Sequence, residues 1–305
     1  MPIDSVKVTI NGTTTTLTDN GDGTYSATLA APNVTSYNVN SGHYYPVTVV
    51  ATNSAGTSTT VDDNDSKLGS SLRLKVKEIS APTITISAPT SGQYLATATP
   101  TIKFKLIDES NGSGIAISTL SVKVDSKTYT NTSSGVTVNA ITNGYEVTLI
   151  PPTALSDGSH TVSVSVSDND GNAATTKSVS FTTDTVAPTL SVTNPSSSGT
   201  YTSSSALNVT GTVSDSTSGT PKITITLNGT DVGSVTVSNG TFSKGITLSN
   251  GSNAIVVTAT DLAGKVTTIT RTITLDTSSP VIASVNITPN PVNVGSNYTI
   301  TITVE

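Results

Sequence analysis

The sequence predicts an all-β chain built from β-sandwiches in tandem, and three observations carry that prediction. Ser and Thr dominate, with 23 Gly and 14 Pro among 305 residues. Short runs alternating apolar and hydroxyl residues recur throughout, as in HTVSVSVS and NAIVVTAT. The same strand–turn–strand pattern also returns about every hundred residues. Thr and Val suit a pleated, half-buried surface, and Gly, Asn and Asp supply turns. So polar a composition would fit disorder, but the alternation is too regular for that.

The repeat is legible in three segments, HYYPVTVVATNSAGTSTT (43–60), SHTVSVSVSDNDGNAATT (159–176) and SNAIVVTATDLAGKVTTI (252–269). Each is an alternating strand, a turn and a second strand. The turns are Asn53-x-x-Gly56, Asp168-x-x-Gly171 and Asp261-x-x-Gly264. In each, Gly provides a positive φ and the Asx side chain caps the turn. Each unit then runs into a proline, at Pro82, Pro188 and Pro280, with spacings of 106 and 92 residues. Units of this length, with a strand every 8–12 residues, point to immunoglobulin-like sandwiches in a linear array.

Residues 157–192 (DGSHTVSVSVSDNDGN…TTDTVAPTLSV) and 250–285 (NGSNAIVVTATDLAGK…LDTSSPVIASV) resemble the closing strands and linkers of bacterial Ig-like modules. The resemblance covers nearly the whole chain. It implies modules of the kind used as spacers in adhesins, as appendages of enzymes and in phage virion proteins. The chain departs from antibody-type domains, which carry a Cys pair and a core Trp, because it has neither residue. Val, Ile, Leu and Tyr must hold each sandwich together unaided.

The predicted organisation is a first unit at 1–79 without its first two strands, full units at 80–184 and 185–276, and a two-strand tail at 277–305. The first unit is identified by its alignment without gaps: residues 6–29 match 223–246 at a constant offset of 217, placing Tyr25 on Phe242. In the third unit that stretch follows two earlier strands, near 189–192 and 207–213. The tail supplies two strands of the absent type, and the proline offset of 92 sets Glu305 on Val213. Two readings stay open: the tail completes the first unit of a neighbouring subunit, or it starts a further domain. The first unit also carries an acidic insertion near 61–71, with Asp62, Asp63 and Asp65.

Composition excludes several functions. With 14 basic against 20 acidic residues and a net charge of −6, no basic stripe exists for nucleic acid. Without cysteine there is no disulfide and no thiolate metal site. The N-terminus reads as no secretory signal, and no apolar run spans a bilayer, so no membrane insertion is expected. The sequons at Asn11, Asn208, Asn228 and Asn239 follow from Thr richness.

His160 stands near Asp157 and Ser159, which invites a hydrolase triad. The repeat offsets place it on Tyr45 and Asn253, and no G-x-S-x-G elbow occurs, so no catalytic residue is assigned. Calcium is the stronger candidate. Asp108, Glu109, Asp168, Asp170 and Asp184 lie in acidic loops and a linker, and related arrays sometimes use junction aspartates this way. If calcium binds, Asp168, Asp170 and Asp184 are expected to hold it between the second and third units. The competing reading is that these residues form turns, and DNDGN lacks the spacing of an EF-hand loop. No metal ligand and no cofactor is assigned. Tyr44 and Tyr45 are adjacent, so one ring faces the core and no aromatic sugar platform forms.

The functional expectation is a non-enzymatic structural or decoration protein of a phage or phage-like particle, assembled in the host cytoplasm and located on the virion. Low charge, a hydroxyl-rich surface and a resemblance of ITPNPVNVG to segments of Gram-positive prophage structural proteins carry it. Its partners would be virion proteins or other copies of itself, with weak contact to a host surface. The alternative is a stalk segment of a bacterial cell-surface adhesin.

Overall fold

A computed structural model describes residues 2–305 and is built from mainly antiparallel strands that form three successive sandwiches and a terminal hairpin. The first holds β1 (Ile3–Ile10), β2 (Thr13–Thr16), β3 (Thr18–Asp19), β4 (Tyr25–Ser26), β5 (Tyr45–Asn53), β6 (Ser58–Val61) and β7 (Arg73–Leu74). Its main sheet runs β2-β1-β5-β6 with β7 on β5, while β3 and β4 pair with each other. The second holds β8 (Thr83–Ala88), β9 (Tyr94–Leu95), β10 (Ile102–Ile107), β11 (Ser121–Val124), β12 (Lys127–Tyr129), β13 (Val136–Ile141), β14 (Gly144–Leu149), β15 (Gly158–Ser165) and β16 (Lys177–Thr183). Its two sheets run β13-β14-β10-β8 and β12-β11-β15-β16-β9.

The third repeats that plan with β17 (Thr189–Asn194), β18 (Thr200–Thr202), β19 (Ala206–Ser214), β20 (Lys222–Leu227), β21 (Thr230–Asp231), β22 (Val237–Ser238), β23 (Thr241–Thr247), β24 (Gly251–Thr260) and β25 (Val266–Leu275). Its sheets are β17-β19-β23-β22 and β18-β25-β24-β20-β21. The hairpin is β26 (Ile282–Thr288) with β27 (Thr299–Val304). The chain forms two compact units, one up to Thr183 and the other Asp184–Glu305. Among the described residues no helix is long and apolar enough to cross a membrane.

Alternation becomes burial directly. Along β15 every second residue from His160 to Val164 is buried, and its neighbours face outward. Phe104, Leu106, Val147 and Leu149 pack with Val122, Val162, Val164 and Phe181, none more than 1% exposed. The third sandwich closes in the same way over Val209, Ile225, Phe242, Ile255 and Val257. Full burial of such a side chain contributes about 1.5–3 kcal/mol, so these cores compensate for the absent disulfide and Trp. The repeated turns also form as expected, with Gly56, Gly171 and Gly264 all at positive φ.

The first sandwich is less well sealed. Its buried apolar side chains are Val6, Val8 and Tyr45. Val8 pairs with Val49 as Ile225 pairs with Val257, so β1 is the counterpart of β20. Among the described residues β4 pairs with β3 alone and has no strand on its other edge, whereas the matching edges in the other sandwiches bind β10 and β19. Leu29 is therefore 43% exposed, while Ile246, its match at the offset of 217, is 8% exposed.

The hairpin corrects one detail of the sequence alignment. Val281, next to Pro280, exchanges both backbone hydrogen bonds with Glu305. The residue after Pro188 is Thr189, and it pairs with Ser214. Glu305 therefore corresponds to Ser214 rather than Val213, because the loop is one residue shorter than a fixed offset of 92 allows. A one-residue shift exchanges the faces of a strand. Val304, Ile302, Ile300 and Tyr298 now fall on Val213, Gly211, Val209 and Leu207.

Gly211 marks where the third core is tightest. A Cβ there would stand 2.2 Å from the Ser191 carbonyl oxygen and 2.4 Å from the Phe242 ring. Gly211→Ala should cost about 1–3 kcal/mol by overpacking, read as a lower urea midpoint at unchanged slope; an unaltered midpoint would show that the ring can move aside.

Candidate metal centres

The acidic residues separate into two kinds by environment. In the 61–71 insertion, Asp62 accepts from the Asn64 amide at 2.8 Å, and Asp65 accepts from Lys67 and Leu68 at 2.9 Å. Asp63 accepts from the Tyr44 hydroxyl at 2.8 Å. These are turn formers and tethers. Tyr45 is the core member of the aromatic pair and donates to the Val34 carbonyl.

The second kind converges in threes. Glu78, Asp108 and Asp168 bring one carboxylate oxygen each to within 4.8 Å of one another, and Asp184, Asp215 and Asp261 do the same. The two sets occupy equivalent places. Glu78 and Asp184 each lie four residues before the proline of their unit. Asp108 and Asp215 follow β10 and β19, and Asp168 and Asp261 open the turns after β15 and β24.

Within the first set, Asp168 is 1% exposed and accepts from the Gly171 and Asn172 amides at 2.6 and 2.8 Å. Asp108 is 3% exposed and accepts from the Gly114 amide at 2.7 Å through one oxygen. Glu78 accepts from the Ser113 amide at 2.5 Å. The other oxygens, Asp108 Oδ1 and Glu78 Oε2, are buried and have no donor. Gly112 crosses directly above, where a Cβ would come within 2.8 Å of both carboxylates. A cleft of about 200 Å³ opens beside Glu78 and Glu109.

In the second set Asp184 is fully buried, and its Oδ2 has no donor. Asp261 Oδ2 is likewise buried and unpartnered, while its Oδ1 accepts from the Lys265 amide at 2.8 Å. Asp215 accepts from the Thr217 and Ser218 amides. Burial would raise its carboxyl, but these donors outweigh that and hold it below the ordinary value. Among the described residues the ion pairs are Lys103–Glu146 and His160–Asp125. Neither triad therefore has a cationic side chain in contact. A buried carboxylate whose second oxygen has neither donor nor counter-charge is destabilising.

A divalent cation meets that need. Calcium takes oxygen ligands at 2.3–2.6 Å, so two oxygens on one ion stand at most about 5 Å apart, which the observed spread satisfies. Of the three residues expected together, Asp168, Asp170 and Asp184, the convergent sets include the first and the last. Asp168 belongs to the first triad and Asp184 to the second. Asp170 instead accepts from the Thr35 hydroxyl and from the Glu78 amide at 3.1 Å, tying the first sandwich to the second within one compact unit. The sequence mark of Glu78 is an acid four residues before each unit's proline, whereas Asp215 and Asp261 carry no such mark.

His160 is a structural residue. Its Nδ1 meets Asp125 at 2.7 Å, and its Nε2 meets the Ser156 carbonyl at 2.8 Å and Thr183 Oγ1 at 3.0 Å. Asn253 does the same work one repeat on, donating to the Ser249 carbonyl and accepting from Asn228. Asp125 bonds the Thr161 amide just as Asn228 bonds that of Ala254. Ser159 faces outward on β15, on the side opposite His160. His43 stacks on Tyr37 at 4.1 Å near the surface.

Residues 188–277 match the family model "Glucodextranase, domain B", and residues 97–185 match "Bacterial Ig-like domain". No curated protein matches the chain. Among solved structures, the fibronectin(III)-like modules of Clostridium thermocellum are 16% identical over 63% of this chain and 94% of theirs, with a TM-score of 0.40. A three-domain titin fragment is 14% identical over 90% and 88%, at 0.42. A tetra-tandem repeat from the extending region of a large adhesion protein is 19% identical over 98% and 79%, at 0.33.

Two outcomes follow. His160→Asn should retain most stability, whereas His160→Ala should lose about 1–3 kcal/mol by stranding buried partners; equal losses on chemical denaturation would contradict the shared role. Glu78 is raised to about 7, first by burial and then by the neighbouring Glu109 carboxylate. Asp108 is raised as well, chiefly by burial, while Glu109 is held down by its bond to Glu78. A carboxyl whose folded pKa exceeds its unfolded one stabilises when protonated, so that stability is lost as pH rises through about 7. With chelator present, the unfolding temperature of the first unit should fall across that window, and Glu78→Gln should flatten the fall.

Proposed function

We propose that this chain is a non-enzymatic structural array whose Ig-like modules are stiffened by calcium at two equivalent carboxylate triads. The observation that carries the reading is that carboxylates at the same places in successive repeats converge in threes, each set with two buried oxygens that have no donor: on Glu78 and Asp108 in one, on Asp184 and Asp261 in the other. Glu78, Asp108 and Asp168 would hold one ion, and Asp184, Asp215 and Asp261 the other. The ion supplies charge neutralisation. The chain's own residues fix where that neutralisation acts, because each triad joins a linker residue to two loops of the sandwich that follows it.

The setting we favour is the surface of a phage or phage-like particle, where the array serves as a structural or decoration protein. The hydroxyl-rich, weakly charged surface and the sequence resemblance to prophage structural segments support it. A stalk of a bacterial surface adhesin is the second reading, favoured by the match of residues 97–185 to a bacterial Ig-like domain model. Antibody-gold labelling of particles and of intact cells from the source separates the two settings.

Calcium at a hundredfold excess over Kd should stabilise by about 2.7 kcal/mol per site that binds only the folded state. In Asp184→Asn the compact unit Asp184–Glu305 should lose its calcium response yet melt higher than wild type in chelator, since a buried charge has been removed. Calorimetry with calcium or chelator reads both effects. Calcium-indifferent melting of wild type would remove the stiffening role.

A further inference from the structure

The first sandwich has an open groove of about 580 Å³, lined by Ile10, Ala27, Leu29, Ala31, Pro32 and Leu74 among others. It runs along the chain that continues β4, the edge that binds β10 or β19 in the complete sandwiches. Residues 27–32 form no strand, so this edge has no ladder partner. Unpaired extended edges and exposed apolar faces both attract a strand.

The hairpin β26–β27 shows the complementary defect. Every residue of both strands is exposed. Val285 pairs with Ile302 and Ile287 with Ile300, so one face is apolar, while Asn286, Thr288, Thr299, Thr301 and Thr303 occupy the other. Val285, Ile300 and Ile302 are 50–57% exposed. Their counterparts in a complete sandwich, Val209 among them, are sealed. A lone two-stranded hairpin is marginal in water.

We infer that the hairpin of one copy docks into the first-sandwich groove of a second copy, adding the two strands that complete its open sheet. The register follows from the third sandwich, where Leu207 lies opposite Ile246 and Val209 opposite Lys244. Through the correspondences given above, Tyr298 comes opposite Leu29, and Ile300 opposite Ala27. Ile302 comes opposite Tyr25, much as Leu106 lies opposite Tyr145 in the second sandwich. The connector at 276–281 is six residues long and reaches at most about 20 Å. The ten residues of β25 already span about 33 Å. The hairpin is thus tethered close to its own sandwich, and docking on a second copy leaves that tether unstretched. The contact is head-to-tail, closing into a ring or extending as a filament.

The full chain should gain mass with concentration in analytical ultracentrifugation. Leu29→Asp and Ile300→Asp should each remain at the mass of one chain. Mixed in equal amounts they should give a two-chain species and nothing larger, because one retains the hairpin and the other the groove. As the chain has no cysteine, register can be read by oxidation. Leu29→Cys mixed with Tyr298→Cys should cross-link, and Leu29→Cys mixed with Thr299→Cys should do so at least tenfold less. A wild type of single-chain mass at every concentration, association that survives Leu29→Asp, or equal cross-linking in both mixtures would each overturn the inference. Since docking needs no cation, its failure and the failure of calcium binding are separate results.

Discussion

Closure of one sheet over the other is the constraint on which each sandwich depends. With no disulfide and no Trp, cohesion comes from β-branched and Phe side chains meeting between sheets, and that requires both sheets to be whole. β10 and β19 bring this about. Each pairs on both sides, with β8 and β14 or with β17 and β23, and each delivers side chains such as Phe104 and Val209 to the centre. Where no such strand stands, as in the first sandwich, Leu29 remains half in water and a groove replaces a core.

The carboxylate triads answer a different constraint. Each is drawn together by backbone that has its own reasons for being there: a linker ahead of a proline, the end of a central strand, and an Asx-capped turn. The amide donors satisfy one oxygen of each carboxylate and orient it, as Gly114 does for Asp108 and Lys265 for Asp261. The second oxygens of Glu78, Asp108, Asp184 and Asp261 are buried without donors, while that of Asp168 accepts from the Asn172 side-chain amide. An array that buried neutral Asn in these slots would avoid the repulsion, so the acids make physical sense as ligands. Asp170 shows the contrast: similar in sequence context, it is fully engaged as a bracket between sandwiches.

Much of this fold could be read from residues. Alternation marked the strands, the Asx-x-x-Gly turns marked the repeat, and the match of 6–29 to 223–246 identified β1 as an inner strand of its sheet. The hairpin register was not accessible, because a one-residue change in loop length reverses strand parity and leaves no mark in composition. The triads were half legible. Asp108, Asp168 and Asp184 stood out as acids in loops, but their grouping depends on which strand ends share a pole of the sandwich, a three-dimensional fact. Asp125 escaped notice because its partner His160 lies 35 residues away across a strand pair.

The short strands β9 and β18 carry a consequence for force. Each pairs in parallel with the last strand of its sandwich, β16 or β25, through bonds such as Thr182 N–H to the Gln93 carbonyl and Asp276 N–H to the Thr202 carbonyl. Once β8 or β17 has been drawn off its neighbour, tension on the chain pulls β9 or β18 one way and the exit strand the other, along their common axis. These bonds are then sheared together instead of opening one at a time like a zipper. A stretched array would therefore resist extension module by module, yielding in discrete steps whose height is set by a few backbone hydrogen bonds and not by the whole hydrophobic core.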